Sequence, residues 1–298
     1  MTRDPRLLFG QRDALGLPAG RLTVFMHQQR PLRNGPAITL VHDTIALRYG
    51  GNSIVRAAKR RFLTRVAASS RDVLTISEYS KASIVRDLGV DPDRIEVLRF
   101  PFDEELVGRV VTLRRSLPRR KAALFVGNFL PHKNLGRLLD AFGSTNFCRG
   151  GGRLVLAGGG SARWAKEQID RLSPEQRRFT DVRHTCSEAE LHELYATSLF
   201  VVQPSLEEGF GLPAWEALCA GIPVCVSDGG ALPEMVRGLA DPFPATSTSA
   251  MAAAIDACAS SAKVVSDDPP AASERLRAAA PTVREFAAQL LAIVERHR

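Results

Sequence analysis

The sequence predicts an α/β protein of two halves, each built on a parallel sheet, and three observations carry that prediction. Short runs rich in Val, Ile and Leu alternate with longer amphipathic stretches, the pattern of repeated βα units. The 298 residues, 45% of them hydrophobic, suffice for two modest cores. Between the two series of alternations lies DEELVGRVVTLRRSLPRRK (103–121), polar, basic and without a core pattern, which reads as a linker. The expected domains are therefore 1–102, the linker 103–121, and 122–298.

In the first half, ITLVH (38–42), DVLTIS (72–77) and RIEVLR (94–99) read as strands, with LTVFM (22–26) a candidate fourth. Residues 53–68 and 80–88 between them read as helices. In the second half strands are expected at 123–127, 153–157, 181–184, 199–203 and 223–227, each followed by a helix. The stretch 246–273 is rich in Ala and Ser with helical apolar spacing. The last helix, 283–296, places Phe286, Leu290, Leu291 and Val294 on one face and is free to pack back on the first half.

Charge is uneven. The chain carries a net charge of +8, made of +11 in residues 1–121 and −3 in the remainder. A basic patch suits anionic lipid, a phosphorylated acceptor or nucleic acid; solvated helix faces are the alternative. Helix 53–68 carries Arg56, Lys59, Arg60, Arg61 and Arg65 opposite Ile54, Val55, Ala58, Phe62 and Val66. It reads either as a helix that lies on an anionic membrane surface or as one packed on its sheet with the arginines in water. No apolar run approaches the ~18 residues of a membrane span. The start, MTRDPRLLFGQRD, lacks the apolar core of a signal peptide. Five cysteines without metal-ligand spacing read as small hydrophobes in a reduced compartment. The chain is therefore expected in the cytoplasm, with helix 53–68 the element that would hold it to the inner face of a membrane.

The chemistry concentrates in QPSLEEGFGLPAWEALCAGIPVCVSDGGALPEM (203–235). Pro213 suits the start of a helix and Gly221 with Pro223 its end, so a helix is expected over 214–220 with Glu216 in its first turn. Glu208 lies just upstream, and Gly209 and Gly211 let backbone N–H groups approach a ligand. A helix N-terminus favours an anion. Two carboxylates beside an anion site suit a ligand that carries both phosphate and hydroxyls, as a nucleotide sugar does.

This segment resembles the donor-binding signature of the GT-B glycosyltransferases of family 4, E-x7-E enclosing G-F-G-L-P, here Glu208 to Glu216. ALFVGNFLPHKNLGRLLDAF (123–142), RLVLAGGG (153–160) and SEAELHELYATSLFVVQPS (187–205) resemble three further segments of that family's donor domain. TLVHDTIAL and DVLTISEYSKASIVRDLGVDPDRIEVLRF resemble the second half of its N-terminal domain, so the likeness runs from about Ala37 to Arg298. The resemblance implies two Rossmann-like domains facing a cleft, with the N-terminal one incomplete. It implies transfer of a sugar from a nucleotide-sugar donor with retention, without a metal or other cofactor. Nucleic acid is not expected as a partner. The segment FLPHKNL is similar to the branch rich in mannosyl transferases, which points to a GDP- or UDP-sugar. The acceptor is expected among surface or storage polysaccharides, lipids or natural products.

The resemblance assigns residues as well. Lys133 matches the diphosphate-binding lysine and is expected at the start of helix 134–142, where ammonium and helix dipole act together. Asn128 stands where the family often has arginine, so either leaving-group stabilisation is weaker or His132 or an arginine of the first half compensates. Glu216 matches the ribose carboxylate and Glu208 the carboxylate near the donor sugar; Glu207 has the wrong spacing. Gly209, Phe210, Gly211 and Leu212 would present amides to the donor. His42, at the carboxyl edge of the first sheet, matches the histidine that touches the donor sugar. Asp91-Pro-Asp93 imitates a D-x-D metal motif but reads as turn chemistry.

The family's opening strand and Gly-Gly loop are not evident, since Gly10, Gly16, Gly20 and Gly35 are isolated. The faces of Ile38, Leu40, Val73, Leu74 and Val97 are therefore expected to be partly uncovered, with a partner chain or self-association completing the sheet. Two other readings stay open: an inactive or partner-dependent nucleotide-sugar-binding subunit, and a GT-B sugar-nucleotide epimerase.

Overall fold

Residues 22–28, 36–158, 170, 172–262, 274, 276–278 and 280–297 are described by the computed structural model. The chain divides into two units, Met1–Phe100 with Val283–Arg298, and Pro101–Thr282. In chain order the strands are β1 (Thr23–Phe25), β2 (Ala37–Leu40), β3 (Asp72–Thr75), β4 (Ile95–Val97), β5 (Ala122–Val126), β6 (Arg153–Ala157), β7 (Thr180–Arg183), β8 (Phe200–Gln203) and β9 (Val224–Val226). The α-helices are α1 (Ala46–Tyr49), α2 (Ser53–Ala68), α3 (Glu78–Leu88), α4 (Glu104–Ser116), α5 (Leu135–Gly143) and α6 (Asn146–Arg149). They continue with α7 (Pro174–Phe179), α8 (Glu188–Thr197), α9 (Leu212–Cys219), α10 (Leu232–Met235), α11 (Thr248–Ala262) and α12 (Val283–Glu295).

The first unit holds a parallel sheet in the order β1-β2-β3-β4. Both faces of a parallel sheet need cover, because its strands are apolar on both sides. Val41 and Val73 pack on Leu63 of α2 and Ile84 and Leu88 of α3. Ile38, Leu40, Leu74 and Leu98 pack on Ile293 of α12, with Phe286, Leu290 and Val294 alongside. The uncovered faces expected from the sequence are thus closed. Ile38, Val73 and Leu74 are fully buried and Leu40 is nearly so; Val97 alone of the five is half-buried. The sequence reading left the last helix free to pack back on the first half but did not count it as the cover of these faces, which is the second layer that α12 supplies. It also misplaced one residue of that helix's buried face, since Leu291 is 58% exposed and Ile293 takes the buried position. The isolated glycines Gly10, Gly16, Gly20 and Gly35 lie outside the described residues.

Helix α2 divides along its length. Leu63, Val66 and Ala67 are buried, Phe62 is half-buried, and Ile54, Val55 and Ala58 remain exposed. Its cap is local: the Asn52 side chain accepts from Val55 N. Asp87 of α3 ties this unit together by accepting from Thr44 Oγ1 and Arg48 (both 2.5 Å) and from Arg86 (2.9 Å). Burial pushes the Asp87 carboxyl up, but donation from Arg86, Thr44 and Arg48 outweighs it and holds the group at about 2. These three donors on Asp87 therefore stabilise the fold above the ordinary 3.8, and their contribution is lost as pH falls through about 2. Asp87→Asn is expected to lower stability at neutral pH. In urea denaturation at stepped pH, its deficit against the wild type should shrink across that acid window.

The second unit holds a parallel sheet in the order β7-β6-β5-β8-β9. Leu124, Val155 and Val201 face α4, α8 and α9 through Val110, Tyr195 and Ala217. Phe125, Leu154 and Val202 face α5 and α11 through Leu138, Phe142 and Ile255. The expected linker is instead helix α4 of this unit. Asp103 caps it by accepting from Leu106 N, and Val107 and Val110 are buried. Arg114 is buried as well and donates to Ala196 O and Ser198 O at 3.2 and 3.1 Å. An arginine in a core position hid the helical period. Of the cysteines, Cys219 and Cys225 are buried and Cys148, Cys186 and Cys258 half-buried. Among the described residues no helix is long and apolar enough to cross a membrane.

Chain direction fixes where a ligand would sit. From β5 the sheet grows one way through β6 and β7 and the other way through β8 and β9. The loops at the carboxyl ends of β5 and β8 therefore diverge at a topological switch point, where open α/β sheets bind ligands.

Candidate functional site

The loop after β5 leads to a 3-10 turn, Pro131–Lys133, and then to Asn134. Asn134 has φ 60°, a conformation that costs a residue with a side chain. Its buried Nδ2 offsets the cost by donating to Pro204 O (3.0 Å) and Ala245 O (2.8 Å). Leu206 N donates to His132 O at 2.7 Å. These bonds stitch the β5 loop to the β8 loop. Lys133 thus ends the 3-10 turn and precedes α5, one step before the helix start expected for it.

The same stitching brings Lys133 and Glu208 together: Lys133 Nζ lies 2.6 Å from Glu208 Oε1, with both side chains about nine-tenths buried. Gln203 Nε2 and Ser205 Oγ donate to that same oxygen, each at 2.6 Å. Three donors on one carboxylate oxygen fix the Glu208 rotamer and hold the lysine. The main chain is fixed too, since Ala231 N donates to Glu208 O at 3.0 Å. Gly230 makes this possible: its φ is +69°, and a Cβ there would fall 2.3 Å from Glu208 O. Gln203 and Ser205 were not foreseen. The signal was present, because a strand reading Phe-Val-Val ends in a glutamine that is fully buried.

Helix α9 starts two residues earlier than expected, at Leu212, with Gly211 (φ +96°) as its N-cap and Pro213 in the first turn. Glu216 therefore lies beyond the first turn. Its Oε2 accepts from Tyr195 Oη at 2.7 Å, and the same hydroxyl lies 3.3 Å from Pro213 O. Tyr195 is fully buried at the α8 end of the core. Burial pushes the Glu216 carboxyl above its ordinary 4.5, while donation from Tyr195 acts the other way. A tyrosine in an amphipathic helix reads as core, so the sequence carried no sign of this bond.

Phe210 packs edge-to-face on Trp215 (5.6 Å between ring centres), and the Trp215 Nε1 donates to Pro101 O at 3.4 Å. Gly209 and Gly211 are buried, whereas Leu212 is 38% exposed. Asn128 is exposed beyond the end of β5. Of the alternatives left open at Asn128, compensation by a charged His132 is not met. Burial, and then the Lys133 ammonium, hold its imidazole at about 4, so it is neutral at pH 7. Glu207 is buried like Glu208, so its substitution would perturb folding.

His42 belongs to the first unit, two residues beyond β2. Its backbone N–H donates to Gln28 Oε1 at 3.0 Å, and its ring lies 5.6 Å from that of His27. Asp91 accepts from Asp93 N at 3.0 Å and so caps its own turn. Among the described residues no cluster of His, Cys, Asp and Glu is arranged to hold a metal ion.

The family profile for glycosyl transferases group 1 matches residues 114–269, more than half of the chain. The chain belongs to that family. Among its relatives is the O-antigen chain mannosyltransferase B of Escherichia coli, 30% identical over 218 residues, covering 69% of this chain and 56% of that protein. Another is the MMP alpha-(1->4)-mannosyltransferase of Mycolicibacterium hassiacum, 30% identical over 180 residues, covering 58% of this chain and 40% of that one. This group 1 chain thus spans about half the length of the curated relatives it matches. In fold it is similar to Anabaena HepE, whose crystal structure holds UDP and glucose. The TM-score is 0.70 at 18% identity, covering 88% of this chain and 72% of that one. Its structural neighbours are GT-B glycosyltransferases, with the same parallel-sheet α/β architecture.

Proposed function

We propose that this chain transfers a sugar, mannosyl by its relatives' names, from a GDP- or UDP-sugar to a glycan, lipid or small-molecule acceptor, with retention at the anomeric carbon. The observation that carries the reading is the buried Lys133–Glu208 pair over the β5/β8 switch point. Breaking the bond from anomeric carbon to diphosphate builds negative charge on the leaving phosphate and positive character on the sugar. A fixed ammonium beside a fixed carboxylate meets both, and neither must reorganise as the charge develops.

In this reading Lys133 binds the diphosphate and Glu208 faces the donor sugar. Glu216 accepts from the ribose hydroxyls, and the backbone of residues 209–212 meets phosphate and sugar. Asn128 offers the phosphate a neutral hydrogen bond in place of a charged one. His42 is the proposed catalytic histidine of the first unit. The transfer needs no metal in this scheme, since the cation at the leaving group is a lysine.

The neutral pair Asn128 and His132 favours one competing reading, a donor-binding subunit without turnover. Calorimetric titration of the full chain with UDP, GDP and ADP is expected to give saturable binding of at least one nucleotide. Consumption of the matching sugar nucleotide, followed with and without candidate acceptors, then separates the two readings. Absence of binding by all three nucleotides would sink the donor site itself.

A further inference from the structure

Of the sixteen residues of α2, only Leu63, Val66 and Ala67 are buried, and all three lie in its second half. The first half, Ser53 to Arg61, stands in solvent, with Ile54 77% and Val55 42% exposed. Arg56, Lys59, Arg60 and Arg61 lie on this same half, with Arg65 a further turn along, and residues 53–68 contain no acidic side chain. Among the described residues none of the five cations pairs with a carboxylate. Arg56 and Lys59 donate instead to the main-chain oxygens of Gly51 and Gly50, and Arg60 to that of Asp87. Arg56, Arg60, Arg61 and Arg65, with Ser53 and Thr64, line an open hollow of about 780 Å³.

We infer that this half of α2 is a docking surface for an anionic lipid bilayer. Two features select that partner. Unneutralised cations on one short helix are attracted to a negative leaflet. An exposed aliphatic pair at the same tip gains by entering the headgroup and acyl boundary, which a purely solvated basic face would not need. A nucleic acid would use the cations but not Ile54 and Val55. The aromatic residue of α2, Phe62, is half-buried and presents no stacking platform for bases. An acidic protein surface would likewise leave the aliphatic tip unexplained. The inference is independent of the donor site, because α2 belongs to the first unit.

The test is sedimentation of the full chain with phosphatidylcholine vesicles, with and without phosphatidylglycerol. Binding is expected only with the anionic lipid and should be lost at high salt. Arg61→Gln and Arg65→Gln should each weaken it by about 5-fold. Ile54→Ser with Val55→Ser should weaken it at every salt concentration. All four side chains are outside the core, and circular dichroism with calorimetric nucleotide titration checks that each variant is folded. Equal binding to neutral vesicles would overturn the inference. So would no binding at all, or tighter binding to a DNA or RNA duplex than to the anionic vesicles. Should a variant fail to fold, the dependence of the wild type on lipid charge and salt decides alone.

Discussion

Lys133→Met is expected to remove about 3 kcal/mol of stability and to abolish measurable binding of a nucleoside diphosphate. Lys133→Met combined with Glu208→Gln should regain most of the stability and none of the binding. The argument rests on an asymmetry of buried ion pairs. Removing one partner leaves the other charge desolvated and uncompensated, which costs about 3–5 kcal/mol, whereas replacing both is often close to neutral. The lower end applies because Gln203 and Ser205 continue to donate to Glu208 Oε1 in the single variant. In the double variant those two donors meet the amide oxygen of glutamine in place of the carboxylate. A diphosphate, by contrast, needs the ammonium itself, since the nearby His132 is neutral at pH 7. Loss of a preorganised donor at the leaving group should cost turnover about 10²–10³-fold. Urea denaturation read beside calorimetry separates the two effects. If the double variant stayed as unstable as the single one, the pair would not be the electrostatic unit described here. If either variant bound nucleotide like the wild type, Lys133 would not be the phosphate ligand.

Much of this architecture was legible because parallel sheets write themselves into a sequence. Strands such as Leu154–Ala157 and Phe200–Val202 are apolar on both faces and stand out as short unbroken runs. The glycine and proline that bound α9 were equally legible, within two residues. What escaped were facts of long-range packing. That the last helix could return to the first half was foreseen from its apolar face, but not that it covers β2 and β3 with Ile293 rather than Leu291 as its buried residue. Helix α4 was taken for a linker because its buried face includes Arg114, whose partners are main-chain oxygens more than 80 residues away. The site divides the same way. Lys133, Glu208 and Glu216 could be singled out from spacing and resemblance, because Lys133 and Glu208 sit in loops, and Glu216 in a short helix, whose bounds are set by neighbouring glycines and prolines. The side chains that orient them, Gln203, Ser205 and Tyr195, belong to a strand, the turn after it and a separate helix, and only the folded sheet brings them to the carboxylates.

Tyr195 leads to the second large effect. Glu216→Ala is expected to weaken nucleotide binding by ~10-fold or more, the loss of a charged hydrogen bond of roughly 1.5–3 kcal/mol. Tyr195→Phe should act differently, through the proton on Glu216. Burial already raises the Glu216 carboxyl above 4.5, so the protonated form, which is a poorer acceptor for ribose hydroxyls, appears at a higher pH than in an ordinary glutamate. Nucleotide affinity should therefore fall on acidification at a pH above that ordinary value. The Tyr195 hydroxyl donates to Oε2 and favours the ionised form. Removing it must raise the carboxyl further, so the inflection in affinity should move to higher pH in Tyr195→Phe. At pH values well above the inflection, the variant should approach wild-type affinity. A tyrosine that merely fills the core would lower stability without moving the inflection. Calorimetry across a pH series for the wild type, Tyr195→Phe and Glu216→Gln distinguishes the cases, because Glu216→Gln should show weak binding with no inflection from this group. Should that variant keep the wild-type pH profile, the proton would belong to another residue, and Glu216 would not be the ribose ligand.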